Sequence, residues 1–380
     1  MNSTYALLVL LLACGAALTE AGQLPAEPSN SPANSALGDR IQAEPFALSE
    51  VELLDGPFRA AMERNAAYLL RLEPDRLLSR VREYAGLKPK APPYGGWEAE
   101  TISSHSLGHY LSACAMQYAA TGDDRFKQRV AYIVDEMATC QAAHNDGYVA
   151  GIPRGREIFA EVASGDIRSH GFDLNGGWVP WYTLHKLLAG LRDAYVHCEL
   201  DTARQVMTRL ADFCWSVVDD LDDEQMQRML ACEHGGMNEV SADLYALTGD
   251  QRYLRMARKF YHKDVLEPLA RQEDLLAGLH ANTQVPKLIG LARLFELTGE
   301  PRDAQTARFF WDRVVGHYTY VNGGNSYNEH FGPADKQANT LHDTTETCNT
   351  YNMLKLTRHL FMWEPRAELM DFYERALLNH

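Results

Sequence analysis

Basic residues are the minority charge in this 380-residue sequence, with 36 Lys and Arg against 51 Asp and Glu and a net charge of −15. A surface of that sign repels polyphosphate and anionic lipid. Nucleic acid and acidic membrane faces are therefore excluded as partners, and neutral or weakly charged ligands remain. Cysteine is scarce: beyond Cys14 there are only Cys114, Cys140, Cys198, Cys214, Cys232 and Cys348, too dispersed for a disulfide scaffold. Five of these sit among apolar helical residues and read as small buried hydrophobes, whereas Cys348 has polar neighbours. No phosphate-binding loop, dinucleotide fingerprint or serine nucleophile elbow occurs. Strand-like alternation is rare, with Phe46 to Leu54 the best candidate, and no transmembrane span is expected beyond the N-terminal apolar run.

That run, Ala6 to Leu18, is short for a bilayer and is followed by Thr19-Glu20-Ala21, so residues 1–21 read as an export signal. The residues before it carry no Lys or Arg. Leu11-Leu12-Ala13-Cys14 is also similar to a lipoprotein cleavage site, which would lipidate Cys14. Periplasmic or secreted location is the main expectation, with a lipid anchor as the alternative. Residues 22–44, rich in Pro, Ser, Asn and Ala, read as a disordered linker, and 45–380 as one large domain.

What the chain has in quantity is a helical repeat. Tyr118 to Phe126 (YAATGDDRF) recurs as Tyr245 to Tyr253 (YALTGDQRY) and again as Phe295 to Arg302 (FELTGEPR), with degenerate copies near His197 to Asp201 and Phe361 to Pro365. Each Gly reads as a helix C-cap and each following acid as the start of the next helix. Leu184, Leu188, Leu191 and Tyr195 form one apolar stripe, and Ala307, Trp311 and Val314 another. Repeated hairpins imply an α-solenoid or a closed α/α toroid. The toroid is favoured because loops of varied length carry polar and aromatic residues: Gly95-Gly96-Trp97-Glu98, Gly176 to Trp181, and Gly235 to Glu239. Trp97 and Trp178 on glycine-flanked loops suit stacking on a sugar ring, although structural tryptophans in loops are common.

The chemistry-bearing candidates lie at the loops. Glu346 and Cys348 pair a carboxylate with a thiol, a start for a metal site. Two residues apart on a regular helix they would diverge by about 200°, so a shared ion demands irregular backbone. The bland reading is a helix start with Asp343 as N-cap and Glu346 completing a capping box. Glu329, in a Gly- and Asn-rich loop, is either a solvated carboxylate or, in an aromatic cleft, a general acid. His105 and His109 share a helix face, but no HExxH glutamate lies between them. His185 and His280 are each, taken alone, ordinary hydrogen-bonded histidines; with the Trp loops they make a polar pocket.

Four strings, Ser104 to Ala113 (SHSLGHYLSA), Glu233 to Glu239 (EHGGMNE), His280 to Lys287 (HANTQVPK) and Glu346 to Lys355 (ETCNTYNMLK), together resemble the β-L-arabinofuranosidases of glycoside hydrolase families 127 and 146, more closely 146. The resemblance runs from about Phe46 to His380. It implies an all-α (α/α)6 barrel followed by β-sandwich modules, a Zn2+ ion held by one Glu and three Cys, a cysteine nucleophile, a Glu acid/base and retention of configuration on plant L-arabinofuranosides. Carried over residue by residue, it makes Glu329 the acid/base, Glu346 and Cys348 zinc ligands, and His185 and His280 sugar contacts; Trp97, Trp178 and Glu239 of the glycine loops complete the expected substrate-binding set. The family's adjacent Cys-Cys pair should lie downstream of Leu377 to His380. The expectation is therefore a barrel incomplete at its C-terminus and a chain that does not hydrolyse glycosides by the family mechanism. Two other readings stand beside it: a non-catalytic carbohydrate-binding barrel, and a helical scaffold binding a protein through a hydrophobic or charged concave face.

Overall fold

A computed structural model of the chain describes residues 40–99, 102–339, 342 and 344–380. The signal and most of the linker lie outside the described residues. Helices dominate. The first three, α1 (Pro57–Arg71), α2 (Pro74–Leu77) and α3 (Ser79–Tyr84), lead into a series of hairpins: α4 (His105–Thr121) with α5 (Asp124–Ala142), then α6 (Gly155–Ala163), α7 (Pro180–Cys198) with α8 (Asp201–Val218), then α9 (Asp223–Leu230). α10 (Met237–Thr248) with α11 (Gln251–Lys259), α12 (Lys263–Ala270), α13 (Ala281–Thr298) with α14 (Pro301–His317), and α15 (Thr347–Trp363) with α16 (Ala367–Asn379) complete the order.

The expected caps form. Gly122, Gly249 and Gly299 each adopt left-handed backbone, and their N–H groups close onto Tyr118, Tyr245 and Phe295. The next residue, Asp123, Asp250 or Glu300, accepts the N–H of the Arg two positions on and so opens the following helix. The hairpin is thus written locally, in a Gly-acid-x-Arg turn.

α4, α7, α10, α13 and α15 pack side by side as an inner layer, each covered by the helix after it. Their contacts advance in the same direction on both partners. Asn352 of α15 meets Asn282 of α13 and His359 meets Glu296, while Asn238 of α10 meets Lys287 of α13 and Asp243 meets Arg293. The inner helices are therefore parallel, with their N-termini at one rim. Sequence explains the layering: α13 buries residues all round (Val285, Leu288, Ile289, Leu291, Ala292), whereas outer α5 buries one face (Phe126, Val130, Ile133, Val134, Met137). Each such side chain contributes roughly 1.5–3 kcal/mol.

One expectation is corrected. Phe46 to Leu54 is not a strand. Glu50 turns back to accept the Ala47 N–H at 2.8 Å, giving a 3-10 turn at Leu48–Glu50 whose neighbours Phe46, Val51 and Leu54 are exposed and pair with no strand among the described residues. The short strands instead lie between α6 and α7: β1 (Ser169–His170), β2 (Asp173–Leu174) and β3 (Gly177–Trp178), an antiparallel meander pairing Ser169 with Leu174 and Asp173 with Trp178. The linker's far end is tied down: Arg40 donates to the Glu296 carbonyl at 2.9 Å, and Gln42 N–H donates to the Met362 carbonyl at 2.7 Å. No described helix is long and apolar enough to cross a membrane.

Candidate active site

The N-terminal rim of the inner helices gathers the candidates. α15 begins at Thr347, not earlier, and Glu346 is its N-cap in extended backbone (φ −136°, ψ 131°) after a left-handed Thr345 (φ 60°). This is the irregular backbone that a shared ion requires. It excludes the capping box, because Glu346 makes no side-chain cap bond; Asp343 lies outside the described residues. The Glu346 carboxylate turns to its neighbour instead, and Cys348 Sγ donates to Glu346 Oε1 at 2.5 Å. Burial, then the adjacent Glu346 carboxylate, pushes the Cys348 thiol up to about 12, and the charge of Glu329 acts in the same sense. Glu346 Oε2 is buried without a partner.

Carboxylate oxygen and thiol are a suitable donor pair for zinc, and the unpaired Oε2 is a free coordination position. They supply two corners of a tetrahedron, however, and no group of three or more His, Cys, Asp or Glu among the described residues could hold a metal. Cys114, Cys140, Cys198, Cys214 and Cys232 are free but buried. Burial raises the thiols of Cys114 and Cys140 to about 11 and that of Cys198 to about 12, as expected for inert packing residues.

Glu329 sits in a loop of left-handed residues (Ser326 φ 90°, Asn328 φ 47°, Glu329 φ 64°) that bridges back to α13. The Ala281 N–H donates to the Glu329 carbonyl at 2.8 Å. His280 caps α13 by accepting the Thr283 N–H on Nδ1, which leaves the proton on Nε2 to donate to Glu329 Oε2 at 3.2 Å. The Glu329 side chain is 61% exposed, so the enclosing cleft expected around it is open to solvent.

Trp97 and Trp178 come together with ring centroids 6.0 Å apart. Trp178 stacks on Phe172 at 5.8 Å and 11°. Phe172 meets His280 edge-on at 5.1 Å, and His280 meets His330 at 5.2 Å.

His185 lies deeper, beneath Gly235 and Gly236. A side chain at Gly235 would place Cβ 2.6 Å from His185 Nδ1, and the Gly236 N–H donates to that nitrogen at 3.1 Å. The double glycine therefore seats the ring and leaves its proton on Nε2. Burial keeps His185 far below its ordinary value, and likewise takes His109 down to about 3. His105 Nδ1 engages the Ile102 carbonyl and Glu98, and among the described residues no third His, Cys, Asp or Glu joins His105 and His109 in a group that could hold a metal. Glu239 is held by Lys355 at 2.7 Å. Lys186 lies over the Tyr182 ring at 4.8 Å and is lowered to about 8, by burial first and then by repulsion from Lys355.

The structure thus unites Glu346 with Cys348, Glu329 with His280, and Trp97 with Trp178, while His185 and Glu239 line the interior below. Sequence reasoning singled out neither Lys355, Lys186, Tyr182 nor Phe172. Lys355 was the findable one, since it falls seven residues after Cys348 on the same helix face.

Comparison with known proteins identifies the family and the fold. A family model described as "Beta-L-arabinofuranosidase, GH127 catalytic domain" matches residues 50–380. Among solved structures, a GH127 β-arabinofuranosidase aligns at 16% identity over 90% of this chain and 55% of its own, with a TM-score of 0.66. A GH127 β-L-arabinofuranosidase from Geobacillus stearothermophilus T6 aligns at 17% identity over 87% and 53%, with a TM-score of 0.58. A further glycoside hydrolase aligns at 15% over 80% and 48%, with a TM-score of 0.54. At these identities the likeness is one of fold. The chain spans about half the length of these structures. No curated protein matches by sequence. This chain belongs to the glycoside hydrolase family 127 β-L-arabinofuranosidase catalytic-domain family.

Proposed function

We propose that this chain is the sugar-binding helical barrel of an exported, retaining β-L-arabinofuranosidase of plant arabinosides, with Glu329 as acid/base and Glu346 and Cys348 as ligands of a zinc ion. One observation carries the reading. At the barrel rim a thiol lies on a carboxylate whose second oxygen is buried and unpaired, within electrostatic reach of a histidine-held glutamate.

The roles follow from the geometry. Glu329 is oriented by the His280 Nε2–H and keeps an exposed oxygen, so it can protonate a departing glycosidic oxygen and later take a proton from water. His185 presents an Nε2–H toward the interior, and Trp97 and Trp178 offer apolar faces to a sugar. Zinc, when bound, keeps a coordinated thiol in its thiolate form at neutral pH, and Glu346 and Cys348 would be two of its ligands. The five other described cysteines are buried in apolar surroundings, so a nucleophile distinct from Cys348 is not offered by the described rim. For this chain alone the expectation is binding of arabinofuranosides without turnover. The polar interior of Lys, His, Glu and Tyr also favours a sugar over a protein partner.

The test is metal analysis and cobalt substitution on the purified chain. The parent is expected to retain zinc and to show a thiolate-to-cobalt absorption band that Cys348→Ser abolishes and Glu346→Gln weakens. A parent whose metal content is indifferent to both changes overturns the zinc reading. Turnover of an arabinofuranoside that is lost in Glu329→Gln overturns the expectation of an inactive chain.

A further inference from the structure

The aromatic rings at the rim form a continuous series, of which the acid/base role uses only His280. From Trp97 through Trp178, Phe172 and His280 to His330 the centroids step by 6.0, 5.8, 5.1 and 5.2 Å, and His280 delivers the series to Glu329. Four separate loops supply it: the turn before α4, the β1–β2 and β3 hairpins before α7, the cap of α13, and the Glu329 loop. A purely structural cluster would enclose its rings, since burial is what stabilises them. Here Trp97 is 61% exposed and Trp178 41%, and His330 is open to solvent. Phe172 stacks in parallel on Trp178 and Trp97 tilts against it, so two rings hold Trp178 while it stays partly open to solvent.

Resting on the arabinofuranosidase reading above, we infer that this series is a leaving-group platform: it binds the sugar units on the aglycone side of the scissile bond, and the substrate is an oligosaccharide of at least three units. Two observations set the direction. The series ends on Glu329, and a general acid protonates the oxygen that stays with the leaving group. It also lies at the exposed rim, whereas His185 is buried and the Glu239–Lys355 pair is only partly exposed, marking the interior where the terminal furanose would sit. Trp178 and Trp97, partly exposed and 6.0 Å apart, follow His280 and Phe172 away from Glu329, so sugars beyond the scissile bond would meet them in turn.

Calorimetry and tryptophan fluorescence on the 380-residue chain test this with three ligands: methyl β-L-arabinofuranoside and the arabinofuranosyl di- and trisaccharides. The trisaccharide is expected to bind about tenfold more tightly than the methyl glycoside. That ratio should collapse toward one in Trp97→Ala and be largely retained in Trp97→Phe. Trp97 is exposed, so the fold tolerates both changes. Equal affinity for all three lengths, or an undiminished ratio in Trp97→Ala, overturns the platform while leaving arabinofuranoside recognition standing. If arabinofuranosides of every length fail to bind but a pyranose trisaccharide quenches fluorescence in a Trp97-dependent way, the platform stands and the sugar assignment falls.

Discussion

Glu98 shows how one residue prepares the rim. Ser104, the N-cap of α4, has left-handed backbone and makes no side-chain cap bond. Glu98 does that work from six residues upstream, accepting the Ser104 N–H at 2.8 Å and the Ser106 N–H at 3.0 Å, with His105 Nδ1 3.0 Å away. Burial alone would raise this carboxyl, but the hydrogen bonds from His105 and the two backbone N–H groups outweigh it and hold it below its ordinary value. A depressed folded-state pKa stabilises the fold at pH above the unfolded value, about 4.3, and that contribution disappears as pH falls through the folded value. Glu98→Gln should therefore cost about 1–2 kcal/mol in urea unfolding at pH 7. The gap to the parent should narrow steadily below about pH 4; a gap that is constant with pH would show that the charge is not involved. Trp97 precedes Glu98, so the same substitution should also weaken the trisaccharide advantage by loosening the platform's first ring. The Glu98 cap was not readable in advance because its partners are set by the loop path and not by helix periodicity.

At the scale of elements, the repeat turn makes a sharper experiment. A Cβ added at Gly249 meets nothing within 4 Å, yet φ is +73°, so Gly249→Ala isolates the backbone cost of left-handed geometry, about 1 kcal/mol. Gly299 has the same backbone (φ +75°), but its added Cβ would lie 2.4 Å from the Arg40 guanidinium, which donates to the Glu296 carbonyl. Gly299→Ala should match Gly249→Ala in global stability and, unlike it, raise amide exchange at Gln42 and Ala43 by releasing their anchor. Equal exchange there in both variants would refute the Arg40 tether. These turns were legible because their chemistry is local: Gly, acid and Arg lie within four residues. The Glu346–Cys348 pair was legible as a pair, and the demand for irregular backbone was met at Thr345 and Glu346. What escaped was non-local. Lys355 finds Glu239 across 116 residues of chain, and the Phe172–Trp178 stack depends on a meander whose strands are two residues long. Phe46 to Leu54 misled for the converse reason, since its alternation has no neighbouring strand among the described residues to pair with.

The whole molecule is held by a buried ionic belt deeper in the barrel than the site. Arg192 of α7 pairs with Asp193 and with Asp243 of α10; Arg293 of α13 pairs with Asp243 and Glu296; His359 of α15 pairs with Glu296, which also accepts from Trp363 Nε1. Four inner helices are thereby locked in register, and that register is what sets His280 and Cys348 at the rim above His185 and Glu239. Burial opposes the charge on Asp243 and Glu296, but Arg192 and Arg293 on the first, and His359 with Arg293 on the second, bring both carboxyls down to about 2. Because unfolded carboxyls titrate near about 4, the belt stabilises fully above roughly pH 5 and fails as pH falls toward 2. Asp243→Asn leaves Arg192 and Arg293 without their shared counter-charge and should cost about 3–5 kcal/mol at pH 7. It should also flatten the acid limb of the stability curve. The converse control is Asp201→Asn, which removes a largely exposed carboxylate paired with Arg204 at 3.5 Å on the outside and should change stability by less than about 1 kcal/mol. If the two substitutions prove equivalent by urea unfolding at pH 7, the belt does not hold the inner helices together, and the rim must owe its geometry to apolar packing alone.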